Sequence, residues 1–174
     1  MTNLKKLWLY GCENLEDIPL DLKILSSLEY LNLQYCKNME FDNDTFDALF
    51  SSQILLLDSY LDLKEVHKGF NNLTSIKELS FTNCKHLKII YASFEGMTNL
   101  KKLLLDGCEN LKDMPLDLKT LLSLEYLDLQ YYKNMKFDDD IFISILSFQT
   151  LLLDGYLFVH YFHIIKHYQT LFAH

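Results

Sequence analysis

Four cysteines are the residues of this 174-residue chain best suited to chemistry, because thiolates attack electrophiles, bind metals and form disulfides. They are Cys12, Cys36, Cys84 and Cys108, and the intervals between them are 24, 48 and 24 residues. The sequence has no C-x-x-C pair of the metal or redox type. Because the intervals are multiples of 24, the cysteines are predicted to form one column of a repeated structure. We interpret them as structural thiols, with metal binding and redox chemistry as the alternatives.

Aspartates are the next candidates, because paired carboxylates transfer protons and bind cations. Asp58, Asp106 and Asp154 recur every 48 residues. Two repeats of stacked strands correspond to about 10 Å, which is too far for two carboxylates to share a proton or one metal ion. The run from Asp138 to Asp140 lacks the further ligands and the central glycine of a calcium loop, so we interpret it as a solvated helix cap.

Three histidines near the end of the chain have the spacing of zinc ligands on a helix. His160, His163 and His167 would share one helical face. No glutamate follows His163, as the metalloprotease motif requires. A terminal arc of the repeated structure is therefore the favoured interpretation, and a metal site is the alternative.

Known catalytic motifs are missing from the sequence. The chain contains no phosphate-binding G-x-x-x-x-G-K-[ST] loop, no G-x-G-x-x-G fingerprint, no G-x-S-x-G elbow and no kinase catalytic loop. With only five glycines, it has little capacity for phosphate-cradling loops. We expect no enzymatic activity, no metal and no cofactor.

Net charge and hydropathy restrict the partners. Sixteen basic against 24 acidic residues give a formal charge of −8, with no lysine-rich run, which argues against nucleic acid and anionic membranes as partners. No apolar run reaches 18 residues and no secretion signal is recognisable, so a cytoplasmic location is predicted. The sequons at Asn43 and Asn72 are interpreted as polar loop asparagines, with glycosylation as the alternative.

A sequence motif repeated seven times determines how the cysteines, aspartates and histidines described above are positioned. Its anchors are Cys12, Cys36, Tyr60, Cys84, Cys108, Tyr132 and Tyr156. Each copy reads approximately L-x-x-L-x-L-x-x-C-x-x-L, except that Ser52 replaces the first leucine of the third copy. The L-x-L alternation places both leucines on one side of a short strand, and one such coil buries them only by stacking on its neighbours.

This period and leucine spacing are typical of leucine-rich repeats. They predict an α/β solenoid, a leucine-rich-repeat horseshoe of about seven 24-residue coils. A parallel sheet would form the concave face, and short helices or irregular arcs the convex face. We expect residues 1–174 to form a single solenoid. The stretch 42–50 is predicted to contain short helical turns, and Pro19 and Pro115 to lie in connecting arcs.

A 48-residue super-period lies within the 24-residue one, because odd copies resemble odd copies and even copies resemble even copies. At twice this distance, residues 1–40 and 97–136 differ at only nine positions. Met1 coincides with the internal repeat position Met97. We therefore expect an uncapped chain that is part of a longer array.

Side chains that flank the buried leucines are predicted to project from the concave face. In one column, apolar residues alternate with polar ones, which is typical of a protein-binding face. Packing beneath a cap, or simple strand propensity, is the alternative interpretation. The predicted protein-binding residues are Trp8, Tyr10, Tyr30, Asn32, Leu56, Asp58, Glu78, Lys102, Leu104, Asp106, Tyr126, Asp128, Leu152 and Asp154.

Two segments of the sequence resemble the repeat region of plant intracellular nucleotide-binding leucine-rich-repeat immune receptors. They are Gly11-Cys12-Glu13-Asn14-Leu15 and Tyr35-Cys36-Lys37-Asn38-Met39. This resemblance implies ligand or effector recognition in plant defence signalling, or intramolecular regulation of a nucleotide-binding domain elsewhere in a longer chain. Cysteine-type repeats also occur in F-box substrate adaptors of ubiquitin ligases, which is the second alternative. A repeat remnant without independent function is the third.

The anchor position carries a large ring in three copies, at Tyr60, Tyr132 and Tyr156. These rings depart from the family pattern and predict that the corresponding coils are irregular.

Overall fold

Seven short parallel strands form the main sheet of the computed structural model, which describes residues 4–16, 26–37, 49–114, 116–131, 139–146 and 149–154. The strands of this sheet are β1 (Lys6–Trp8), β2 (Tyr30–Asn32), β3 (Ile54–Leu56), β5 (Glu78–Ser80), β7 (Lys102–Leu104), β8 (Tyr126–Leu129) and β9 (Thr150–Leu153). They lie side by side in chain order, and every pairing is parallel. The predicted parallel-sheet solenoid is therefore confirmed, with about five turns described.

The 24-residue period appears directly as strand register. Leu7 is paired with Leu31, Leu31 with Leu55, and so on to Leu151, so each strand repeats its neighbour without a slip. A slip of one residue would turn every leucine to the opposite face. In the central coils the two leucines of the L-x-L unit, such as Leu103 and Leu105, are completely buried. The leucine rows therefore form one continuous core, as predicted.

The chain adopts positive φ immediately before the anchor in each coil whose turn is described. The residues are Gly11 (68°), Tyr35 (61°), Ser59 (57°), Asn83 (59°), Gly107 (73°) and Tyr131 (65°). This left-handed conformation lets the chain leave the strand while the backbone stays bonded to the next coil. Gly11, for example, donates its backbone N–H to the Gln34 carbonyl at 2.8 Å. Four of the six turns use a residue other than glycine, so the repeated architecture maintains a backbone conformation that those residues rarely adopt alone.

The cysteine column has the predicted structural role. The thiols of Cys36, Cys84 and Cys108 each donate to a carbonyl oxygen of an earlier coil at 3.1 Å. All four cysteines are free thiols. Burial raises the pKa of Cys84 to about 12, so its thiol stays protonated and unreactive near neutral pH.

The described parts of the connections between the strands of the main sheet contain short and varied elements, as predicted. Strands β4 (Glu65–Val66) and β6 (Ile89–Ile90) form a second, two-stranded parallel sheet. Within the described ranges, 3₁₀ helices span Lys68–Asn72 and Leu116–Thr120. The α-helix of these ranges, α1, spans Asp139–Ile145 and begins inside the acidic run. Among the residues that the structure describes, no helix has the length and hydropathy of a membrane span.

The third coil shows how the structure accommodates a large anchor residue. Tyr60 is buried in the core, and β3 pairs in unbroken register with both β2 and β5. The sheet is therefore regular at this coil, contrary to the predicted irregularity. Several other predictions concern residues outside the described ranges: the anchors Tyr132 and Tyr156, both prolines, the helical turns of 42–48 and the three histidines.

Candidate protein-binding face

The side of the seven-stranded sheet opposite the leucine core carries three columns of side chains, which we call the open face. Strand register aligns the first two columns residue by residue. The first column is Lys6, Tyr30, Ile54, Glu78, Lys102, Tyr126 and Thr150. The second is Trp8, Asn32, Leu56, Ser80, Leu104, Asp128 and Leu152. The third is Tyr10, Gln34, Asp58, Thr82, Asp106, Gln130 and Asp154. These are the columns that the period predicts.

Exposure alternates along the second column. Trp8 is 61% exposed, whereas Asn32 on the next strand is 1% exposed. Asp128 is similarly covered, at 8%. A short polar side chain is flanked on both sides by long apolar ones, so the longer groups extend past it and shield it from solvent. The apolar side chains therefore form ridges, and the polar ones form the floor between them.

Aromatic side chains cluster at the end of the face that β1 forms. The rings of Trp8 and Tyr30 have centroids 4.7 Å apart, and those of Tyr10 and Tyr35 lie 5.1 Å apart. Tyr35 was not among the predicted residues, because it belongs to the turn after β2 rather than to a column. Its positive φ places its ring beside Tyr10. The fixed position directly before the anchor is the sequence signal that identifies such turn residues.

Hydrogen bonds connect the third column across neighbouring coils. Asp58 accepts hydrogen bonds from the Gln34 side chain, the Ser80 hydroxyl and the Thr82 backbone N–H. The Thr82 hydroxyl in turn donates to Asp106 at 2.7 Å. This network crosses four strands and fixes the orientation of the carboxylates. The open face is thus preorganised rather than lined by free-moving polar chains.

The face has an excess of uncompensated negative charge. Burial raises the pKa of Asp58 and of Asp128, although hydrogen bonds to each carboxylate oppose the shift. Burial, together with the charges of Asp128 and Asp106, also raises the pKa of the Tyr126 hydroxyl. Within the described ranges, Asp58, Asp106 and Asp128 form no ion pair. Glu78 does, with Lys102 at 3.6 Å.

The structure places the predicted binding residues at different depths. Exposed ones are Trp8, Tyr10 and Lys102. Partly exposed ones are Tyr30, Leu56, Asp58, Glu78, Leu104, Asp106, Tyr126, Leu152 and Asp154. Asn32 and Asp128 are buried, so they support the ridges rather than reach outward. No group of three or more potential ligands in the described segments could hold a metal ion.

A polar groove of about 560 Å³ lies along the edge of the sheet where the strands begin. It includes Lys5 and Lys77, but Lys5 is bound to Glu29 at 2.6 Å and Lys77 to Gln53 at 2.8 Å. Serine hydroxyls form much of the remaining lining. The groove has no apolar ridge and no paired carboxylates, so the open face is the stronger candidate site.

Solved structures share this fold, and three of them illustrate the similarity. A leucine-rich-repeat protein of Leptospira interrogans matches with a TM-score of 0.68 and 23% identity, covering 87% of this chain and 37% of that one. The leucine-rich repeat domain of the type III effector XopL matches with a TM-score of 0.69 and 19% identity, covering 81% of this chain and 49% of that one. A chain of the Drosophila Toll–Spätzle complex matches with a TM-score of 0.62 and 20% identity, covering 88% of this chain and 24% of that one.

These similarities establish the leucine-rich-repeat fold. The chain spans about a quarter to a half of the length of those three proteins. No protein-family model matches the sequence, and no curated protein sequence matches it either.

Proposed function

We propose that this chain is a non-catalytic protein-recognition module whose open face binds a protein partner. The observation that carries this proposal is the second column, in which exposed Trp8 and the partly exposed Leu56, Leu104 and Leu152 alternate with a buried polar floor. Burial of apolar surface is the dominant favourable contribution to most protein association, and tryptophan and tyrosine are enriched among the residues that carry most of the binding energy. The fixed carboxylates of the third column add orientation and selectivity.

The shape of the repeat array supports a binding role. We propose that the seven copies form seven coils of a horseshoe, with the open face on its concave side. A concave sheet surrounds a convex partner segment and brings several ridges into contact with it at once.

The sequence segments around Cys12 and Cys36 suggest the kind of protein to which this module belongs. They support a role in ligand sensing or intramolecular regulation, in a cytoplasmic protein that resembles plant immune receptors. In that setting the partner is an effector, or a nucleotide-binding domain in a longer chain. The similarity to Toll, which is described in a complex that serves innate immunity, is compatible with a recognition role.

Combined replacement of Trp8, Tyr30, Leu56 and Leu104 by serine tests the proposal. Peptides are first selected against the purified chain from a phage-displayed random library, and their affinities are then measured by calorimetry. We expect the quadruple variant to bind about tenfold or more weakly, because three of the four apolar ridges and the neighbouring Tyr30 ring are removed. Far-UV circular dichroism and urea unfolding verify that the variant remains folded.

Leu122→Ser is the matched control. Leu122 is 93% exposed outside the open face, and the equivalent position in the duplicated segment, Ser26, already carries serine. This control should bind like the wild type. Selected peptides that bind the folded quadruple variant as tightly as the wild type would show that recognition occurs elsewhere.

A further inference from the structure

The apolar ridges of the open face repeat every second strand. Trp8, Leu56, Leu104 and Leu152 lie in direct register, each separated from the next by one strand that carries a short polar residue. Neighbouring strands are about 4.8 Å apart, so successive ridges are about 9.6 Å apart. The whole row extends about 29 Å across seven strands.

This spacing matches one peptide conformation better than the others. A polyproline II segment advances about 3.1 Å per residue with three residues per turn, so every third side chain points the same way at intervals of about 9.3 Å. In a β-strand, side chains three residues apart point to opposite faces. An α-helix presents the same face approximately every seven residues, or about 10.5 Å, so over the three intervals between the four ridges it falls out of step by about 3 Å.

The carboxylates supply a second pattern with the same repeat. Asp58, Asp106 and Asp154 occupy the third column on the same alternate strands as three of the ridges. Within the described segments, Asp58 and Asp106 have no cationic partner. On the open face, two lysines stand against five carboxylates, which leaves three excess negative charges. A basic side chain at a second position of each triplet would therefore complement this column.

The aromatic cluster provides the third element. The ring pair Trp8–Tyr30 and the ring pair Tyr10–Tyr35 form an aromatic surface at one end of the row, where Trp8, Tyr10 and Tyr35 are exposed and Tyr30 is partly exposed. Aromatic grooves are the surfaces on which polyproline II segments dock. Arginine also stacks favourably on tryptophan and tyrosine rings.

We propose that the open face binds an extended polyproline II segment of a partner protein, with an apolar residue at every third position and a basic residue beside it. The apolar residues pack between the leucine ridges, and the basic residues face Asp58, Asp106 and Asp154. The super-period of 48 residues is, in this view, the structural counterpart of a three-residue period in the ligand. This inference rests on the proposed function, because it specifies the partner of the same face.

A synthetic peptide of four Leu-Pro-Arg triplets tests the proposal with the full chain. At about 3.1 Å per residue, it is long enough to span the row of ridges. Trp8 is the single tryptophan of the protein and lies on the face, so its fluorescence reports binding by a peptide that lacks aromatic residues. Two control peptides are a composition-matched one with the repeat Leu-Leu-Pro-Arg-Arg-Pro and one with Leu-Pro-Glu triplets. We expect the Leu-Pro-Arg peptide to bind about tenfold or more tightly than either control.

Protein variants locate the binding site. The double variant Leu104→Ser/Asp106→Asn removes one ridge and its neighbouring carboxylate, and should weaken binding of the Leu-Pro-Arg peptide about tenfold. The matched control Leu122→Ser/Asp62→Asn changes an exposed leucine and an exposed aspartate outside the face, and should leave binding unchanged. Urea unfolding verifies that both variants are folded.

The possible outcomes separate this inference from the proposed function. Equal binding of the Leu-Pro-Arg peptide and its composition-matched control would overturn the three-residue period. Stronger binding of a helical peptide with leucine and arginine at seven-residue intervals would overturn the polyproline II conformation. If library-selected peptides require the ridges but the Leu-Pro-Arg peptide does not bind, the partner chemistry is wrong and the recognition role stands. If the selected peptides also ignore the ridges, both proposals fail.

Discussion

At the scale of single residues, the open face owes its character to carboxylates held in a partly desolvated environment. Asp58 accepts three hydrogen bonds, yet burial outweighs them and raises its pKa above the usual value of 3.8. A carboxylate in this state favours a cationic partner, because ion pairing compensates for the hydration that burial removes. In the proposed complex, the burial that weakens Asp58 as an anion would therefore favour a basic ligand group beside it.

The raised pKa of Asp58 predicts a dependence of stability on pH. The folded state binds the proton more tightly than the unfolded state, so this contribution to the free energy of unfolding is complete below pH 3.8. It is lost as pH rises through the raised pKa. Asp58→Asn should therefore flatten the decline in stability just above pH 3.8. Urea unfolding at a series of pH values measures this slope.

Asp62→Asn, an exposed substitution in the arc after β3, is the control for that experiment. Asp128 has a raised pKa for the same principal reason, so the Asp58→Asn/Asp128→Asn double variant should flatten the curve further. A slope in Asp58→Asn equal to that of the wild type would contradict the prediction.

At the scale of elements, the turn after each strand maintains the repeat. Among the six coils whose turns the structure describes, the left-handed residue precedes the anchor each time, and it is glycine in two of them, at Gly11 and Gly107. The two glycines differ in their surroundings. A Cβ on Gly107 would lie 2.5 Å from the Asn83 side-chain oxygen and 3.3 Å from its Cα, whereas a Cβ on Gly11 would meet nothing within 4 Å.

Alanine at the two glycines separates backbone strain from steric contact. Gly11→Ala should lower the free energy of unfolding by about 1–2 kcal/mol, which is the cost of a left-handed residue with a Cβ. Gly107→Ala should cost more, because it adds the contact with Asn83 to the same strain. Urea unfolding of the two variants measures the difference. Equal losses would show that Asn83 moves away without cost.

At the scale of the whole molecule, the solenoid is a stack in which burial depends on neighbours on both sides. Leu7 and Leu103 occupy equivalent positions in nearly identical sequence segments. Leu103 lies between β5 and β8 neighbours and is fully buried, whereas Leu7 on β1 has a paired strand on one side within the described ranges and is only partly buried. The same local sequence therefore contributes differently to stability in the two coils.

Alanine at the two leucines measures this difference. Leu103→Ala should lower the free energy of unfolding by about 2–5 kcal/mol, the usual cost of a cavity at a buried leucine. Leu7→Ala should cost clearly less, because the removed atoms are partly in contact with water already. Urea unfolding provides both values. Equal losses would indicate that the coil containing β1 is as tightly packed as the interior of the stack.

The sequence alone determined which residues share a column. A fixed period of 24 residues, with leucines in L-x-L alternation, imposes the register of parallel strands, because any slip would expose the core. Fold, core and the three columns of the open face follow from that constraint. The structural role of the cysteines follows as well, since 24-residue intervals place them at the same point of successive coils.

Only the tertiary structure decided how deep each side chain lies and which partners it has. Asn32 and Trp8 occupy neighbouring positions of one column, yet one is buried and the other exposed, because exposure depends on the lengths of side chains on adjacent strands. The contact between the rings of Tyr35 and Tyr10 and the raised pKa of Asp58 likewise depend on side chains of neighbouring coils. Periodicity specifies alignment, whereas depth and electrostatics depend on the three-dimensional surroundings of each group.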